Sequence, residues 1–318
     1  MIKIEHLTKK YGDHVAVDDL NIELAPGKIY GFLGPNGAGK STTMNIMTGY
    51  LAATEGTVTV NGYDIFEQPE KAKSCIGYLP ELPPLYMDMT PREYLSFVAD
   101  LKKVDKRKKK LMIEEIMQET GITEVSDRLI RNLSKGYRQR VGIAQALTGF
   151  PPVLILDEPT VGLDPNQIIE MRDLIKSLGK QHTVILSSHI LSEISAVCDY
   201  VWIINKGRLV AADTPENLSV NMNQSVYYNL SVKGDEATVS EILRGRDYIK
   251  SFCINEAADG IVKLTVETDK ENTGIEEDLF YLFADHRMPI ISSTKEEHSL
   301  EEVFLAFTAE TEEGESKS

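Results

Sequence analysis

The run Gly34-Pro35-Asn36-Gly37-Ala38-Gly39-Lys40-Ser41 spells out the full pattern GxxxxGK[ST], and no other stretch constrains the fold as much. Its glycines permit positive φ and let backbone N–H groups converge on a polyanion with no Cβ in the way. Lys40 can bridge β and γ phosphates, and the Ser41 hydroxyl can complete a Mg²⁺ shell. Such a loop needs a strand before it and a helix after it. Lys28-Ile29-Tyr30-Gly31-Phe32-Leu33 reads as the strand, and Ser41-Thr42-Thr43-Met44-Asn45-Ile46-Met47 opens a helix whose N-terminal dipole favours phosphate. The expectation is an α/β fold that holds a nucleoside triphosphate on residues 34–42.

The rest of residues 1–215 fits one α/β unit. Ile2-Lys3-Ile4-Glu5 and Asn21-Ile22-Glu23-Leu24 alternate as half-exposed antiparallel strands, and residues 56–62 form a β-ribbon element. Thr90-Pro91-Arg92-Glu93 is a capping box with proline at the first helical position, and helical periodicity from about 90 to 130 predicts an all-α insertion. Val153-Leu154-Ile155-Leu156 and Val184-Ile185-Leu186 are continuous apolar runs, as central parallel strands buried on both faces require. Residues 201–210 read as a closing hairpin. After Pro215 the order becomes β-α-β-β-α-β, which predicts a small ferredoxin-like domain over 221–308. A capping box at Ser299 adds a last helix, and residues 309–318 are acidic enough to predict a disordered tail.

The formal net charge is −15, of which residues 221–318 contribute −12 through 21 acidic and 9 basic side chains. That balance argues against a nucleic-acid surface on the C-terminal third. The run of seven Lys and Arg between 102 and 110 is the exception. It reads either as a solvated helix face or as a contact with an anionic membrane surface or partner. Met1-Ile2-Lys3-Ile4-Glu5-His6 lacks the apolar stretch expected of a signal peptide, and no apolar run is long enough to span a bilayer. The three cysteines have no metal-binding or disulfide spacing, which predicts a cytosolic protein.

Four further segments narrow the chemistry. Leu154-Ile155-Leu156-Asp157-Glu158-Pro159 ends a buried strand in adjacent carboxylates: Asp157 can hold Mg²⁺, and Glu158 can polarise an attacking water. Leu133-Ser134-Lys135-Gly136-Tyr137 opens a helix, where a hydroxyl and free amides make a second phosphate-binding surface or simply a capped helix. Gly162-Leu163-Asp164-Pro165 starts the next helix. Ser187-Ser188-His189 ends the next strand, where an imidazole can bond a γ-phosphate.

With these motifs in this order, residues 1–215 resemble the ATP-binding subunit of an ABC transporter. The resemblance implies a P-loop NTPase with an antiparallel β-subdomain and an α-helical subdomain. It implies that Tyr11 stacks on adenine, that residues 133–137 are the signature motif, that His189 is the switch histidine and Asp164 the D-loop aspartate. Ser134, Lys135 and Gly136 would then meet ATP bound to a second copy of the chain or to a homologous subunit, and Ser41, Asp157 and Glu81 would hold Mg²⁺. Two positions depart from the family. Glu81 stands where the family has Gln, keeping an oxygen ligand and losing an amide donor. The signature reads LSKGY where LSGGQ is commoner. The C-terminal region resembles that of ABC-2-type export ATPases, and residues 78–86 resemble a gliding-motility or multidrug type subunit.

The resemblance implies a cytosolic ATPase, peripheral on the inner face of the membrane, that drives a separate permease. Leu85-Tyr86-Met87-Asp88-Met89 is an apolar stretch suited to docking it or to packing within the helical insertion. Two rivals stand beside this reading. An ABC ATPase acting on nucleic acid or ribosomes usually carries two cassettes or a long coiled coil, and this chain has neither. A binding module with a decayed ATPase conflicts with intact Lys40, Asp157 and Glu158.

Overall fold

The computed structural model describes residues 2–222, 225–258, 260–269 and 274–297. Its chain divides into two compact units, the first ending at Pro215 and the second starting at Glu216. The expected helix at Ser299 and the expected tail lie outside the described residues.

In the first unit, β1 (Ile2–Tyr11), β2 (His14–Leu24), β4 (Glu55–Val60) and β5 (Tyr63–Asp64) form an antiparallel sheet in the order β2-β1-β4-β5. β3 (Ile29–Leu33) leads instead into a second sheet, followed by α1 (Lys40–Met47). That sheet is completed by β6 (Ile76–Leu79), β7 (Val153–Leu156), β8 (Thr183–Ser188), β9 (Tyr200–Asn205) and β10 (Arg208–Asp213) in the order β10-β9-β3-β8-β7-β6. All its pairings are parallel except the closing β9–β10 hairpin. Every residue of β3, β7 and β8 is buried, which is why these strands read as unbroken apolar runs. One core joins the two sheets: Ile2, Ile4 and Val58 from the first pack with Phe32, Met44, Ile155 and Trp202. Trp202 stacks on Tyr30 with centroids 4.9 Å apart.

α2 (Pro69–Ser74) precedes β6, and the all-α insertion follows it as α3 (Pro91–Leu101), α4 (Lys106–Glu119) and α5 (Lys135–Leu147). Thr90 and Glu93 form the reciprocal capping box that starts α3. α6 (Pro165–Leu178) is capped by Asp164, and α7 (Leu191–Ser195) follows β8.

The second unit opens with α8 (Pro215–Met222), a helix that the sequence pattern does not announce. β11 (Ser225–Lys233), α9 (Glu236–Leu243), β12 (Ile249–Ala258), β13 (Ile261–Asp269), α10 (Ile275–Asp285) and β14 (Ile290–Glu297) follow. The antiparallel sheet order β12-β13-β11-β14 is that of the ferredoxin-like sandwich. Alternate residues of β11 and β13, such as Val226, Leu230, Leu264 and Val266, pack against Val239, Leu279 and Phe283 of the helices.

Candidate functional site

The loop between β3 and α1 is held in a shape that only glycine allows at two points. Gly39 has φ of 105°, and a Cβ there would lie 2.5 Å from the Ala16 carbonyl oxygen. A Cβ at Gly34 would lie 2.4 Å from the carbonyl oxygen of Ile204 in β9. The loop therefore wraps into a cavity of about 510 Å³, walled by residues 36–42 together with Tyr11, Glu81, Glu158 and His189.

Lys40 is the charged centre of this wall. Its ammonium, only 6% exposed, donates to the carbonyls of Gly34 (2.7 Å) and Pro35 (3.2 Å) and lies 3.7 Å from Glu158. Burial pushes it below the ordinary lysine range, against the opposing pull of Glu158 and Asp157. Gly34 and Pro35 thus reach the site through Lys40, without lining the cavity.

The two carboxylates ending β7 diverge. Asp157 accepts the Ser187 hydroxyl at 2.6 Å and the Ser41 hydroxyl at 3.4 Å. Glu158 faces the cavity, where His189 Nδ1 sits 3.0 Å from its Oε2. Its backbone has φ of 49°, a left-handed conformation that costs a non-glycine residue about 1–2 kcal/mol. The Ser187 hydroxyl also accepts the Glu158 N–H at 2.9 Å, so this one side chain fixes both acids. Backbone strain of this kind clusters at functional sites, where the surrounding structure holds it in place.

Tyr11 stands at the end of β1, half exposed, with the Lys9 ammonium 5.1 Å from its ring centre. His14 and Ala16, just across the turn in β2, complete that side of the cavity. They carry no motif, and only their pairing with β1 brings them here. Glu81 borders two cavities. It closes the phosphate-loop cavity and also lines a larger apolar groove of about 970 Å³, as Ser41 does. Leu82, Tyr86, Phe97 and Leu101 line the apolar part of that groove, and Asp157 also lines it. Tyr86 packs edge-on against Phe97 with centroids 5.3 Å apart. Leu85 and Met87 lie outside the groove, whose exposed apolar side chains include Leu82 and Tyr86.

Ser134 and Gly136 are not at this site. They line a separate cavity of about 320 Å³ with Tyr137, Arg140, Gln167 and Glu170. Ser134 caps α5 by accepting the Tyr137 N–H at 3.4 Å. Lys135 lines neither cavity: a Cβ on Gly162 would lie 2.1 Å from its ammonium, which therefore rests on that glycine.

Residues 17–161 match the ABC transporter family. The bacitracin transport ATP-binding protein BcrA of Bacillus licheniformis is 36% identical over 307 residues, covering 96% of each chain. The chain belongs to the ATP-binding subunits of ABC transporters. This ABC ATPase is also 31% identical to the linearmycin resistance ATP-binding protein LnrL of Bacillus subtilis, over 98% of its own length and 99% of that protein's. Among solved structures, cbiO1 of Clostridium perfringens, part of an ABC transporter complex, superposes with a TM-score of 0.63 at 30% identity, covering 69% of this chain and 90% of that one. As a member of the family the ABC ATPase binds and hydrolyses ATP to drive transport. No helix among its described residues is long and apolar enough to cross a membrane.

Proposed function

We propose that this ABC ATPase drives export, closing as a dimer on two ATP molecules and passing that closure to a separate membrane permease. The observation that carries the reading is the placement of Glu158. It is a buried carboxylate aimed into the phosphate-loop cavity, with Lys40 and His189 on either side. Glu158 takes a proton from water, His189 holds it in register, and Lys40 meets the β and γ phosphates once its loop carbonyls are released. Tyr11 offers its ring to the base.

The oxygens of Ser41 and Asp157, 3.4 Å apart, suit a Mg²⁺ ion that takes its other ligands from phosphates and water, with Glu81 in reach of the same cavity. The ion would neutralise phosphate charge there.

Ser134 and Gly136 lie in a different cavity from the loop of their own chain, which supports their service to the ATP of a second copy. Residues 221–308 act as an accessory domain with no nucleotide contact. The permease docks on the groove around Leu82 and Tyr86, so that the chain works peripherally on the cytoplasmic face of the membrane. The relatives named for bacitracin and linearmycin support an antibiotic as the exported substrate.

The test is Glu158→Gln, which keeps shape and cannot act as a base. Turnover should fall about 10²–10⁴-fold. With ATP and Mg²⁺ the variant should sediment as a dimer. A monomer under those conditions, or near-normal phosphate release, would sink the reading.

A further inference from the structure

The tip of the α3–α4 hairpin breaks the charge pattern of the molecule. Between Asp100 and Leu111 stand seven Lys and Arg against two Asp, a local charge of +5 on a chain whose net charge is −15. Two of the seven are committed internally. Lys109 pairs with Asp100 at 2.7 Å, and Lys102 turns its ammonium to the Thr148 carbonyl at 2.7 Å. The other five, Lys103, Lys106, Arg107, Lys108 and Lys110, are exposed and make no ion pair among the described residues.

Helix stability does not explain them. The first turn of α4 contains Lys106, Arg107 and Lys108 and no acidic residue, although the positive end of a helix dipole favours carboxylates there. The N-cap Asp105 accepts the Arg107 N–H at 2.9 Å and is the acid nearest the cluster in sequence. Leu101 and Leu111, 65% and 75% exposed, flank the cations. Cations mixed with bare leucines match an anionic headgroup layer above acyl chains. A nucleic-acid backbone would use the charges and leave the leucines wet.

We propose that this hairpin tip binds the anionic phospholipid surface of the membrane directly, beside the permease. The position supports it. Leu101 and Lys102 belong both to the tip and to the wall of the apolar groove, so a permease seated in the groove would bring the tip to the headgroups. The inference rests on the proposed permease docking for its orientation, while its test needs no permease.

The full chain is sedimented with vesicles of phosphatidylglycerol and phosphatidylcholine, and with phosphatidylcholine alone. Binding to the anionic vesicles alone is expected, weakening steeply between 50 and about 300 mM salt as screening shortens. The variant with Lys103, Lys106, Arg107 and Lys110 all changed to Ala should bind them about a thousandfold less well, with basal ATPase activity unchanged. Leu111→Ser should weaken vesicle binding several-fold without altering charge. No binding by the wild-type chain, equal binding to neutral vesicles, or full binding by the quadruple variant would each overturn the proposal. So would loss of single-stranded RNA binding in that variant with vesicle binding intact. Failure here with the Glu158→Gln dimer still forming leaves the transport reading standing.

Discussion

Replacing Lys40 by Ala separates the roles this side chain combines. In binding, the ammonium is expected to make charge-assisted bonds to β and γ phosphates, each about 1.5–3 kcal/mol. It must first leave the Gly34 and Pro35 carbonyls at 2.7 and 3.2 Å, which places the net loss near the bottom of the summed range. A loss of about 3 kcal/mol weakens ATP binding on the order of a hundredfold. In folding, the variant leaves Asp157 and Glu158, 3% and 7% exposed, without their cation. Breaking a buried pair costs about 3–5 kcal/mol. Ser187 and His189 still hydrogen-bond the two acids, so we expect about 3 kcal/mol. At about 2–4 °C per kcal/mol for a unit of this size, the melting temperature should fall by about 6–12 °C. Fluorescence titration with ATP and with AMP, beside a thermal melt, reads both. AMP has no β or γ phosphate and should bind as before. Unchanged ATP affinity, or an equal loss for AMP, would refute the placement of Lys40.

Three further outcomes follow from the geometry. Tyr86→Asp places a charge in the groove beside Phe97 and should reduce co-purification with the membrane subunit while sparing basal ATPase activity; unaltered co-purification would move the docking surface elsewhere. Gly77→Ala would set a Cβ 2.2 Å from the Ala146 carbonyl oxygen and should cost about 1–3 kcal/mol or more in urea unfolding, with no effect expected from Gly62→Ala beyond its backbone strain. Burial lowers the Lys102 ammonium to about 8, so the unfolded chain binds more protons between that pH and about 10.4. Stability relative to Lys102→Met should therefore rise as pH increases across that window, read by urea melts at pH 7 and 9.5.

What could be read in advance is what local chemistry dictates. The phosphate loop, the Asp157–Glu158 pair and the capped helices at Thr90 and Asp164 each need particular residues at fixed spacing, and the ferredoxin-like order follows from alternation alone. Placement that depends on distant pairing could not be read. His14 and Ala16 reach the cavity only because β2 folds back on β1. Ser187 looked like a strand end, yet its hydroxyl fixes both acids. Of the apolar stretch 85–89 only Tyr86 lines the groove, beside Leu82, because apolar character does not say which side chain faces a groove. α8 leaves little sequence signal because eight residues beginning at a proline give too short a pattern to separate from a linker.

Ser41 and Glu81 each belong to two walls, one of the phosphate-loop cavity and one of the apolar groove. Thermodynamic linkage makes such sharing reciprocal. If nucleotide changes the affinity of the groove for its occupant by some factor, the occupant changes nucleotide affinity by that same factor. A small apolar molecule wedged between Tyr86 and Leu82 would then report the nucleotide state, and its own grip would be tunable by ADP against ATP. An inhibitor sought in that groove should be screened with nucleotide present.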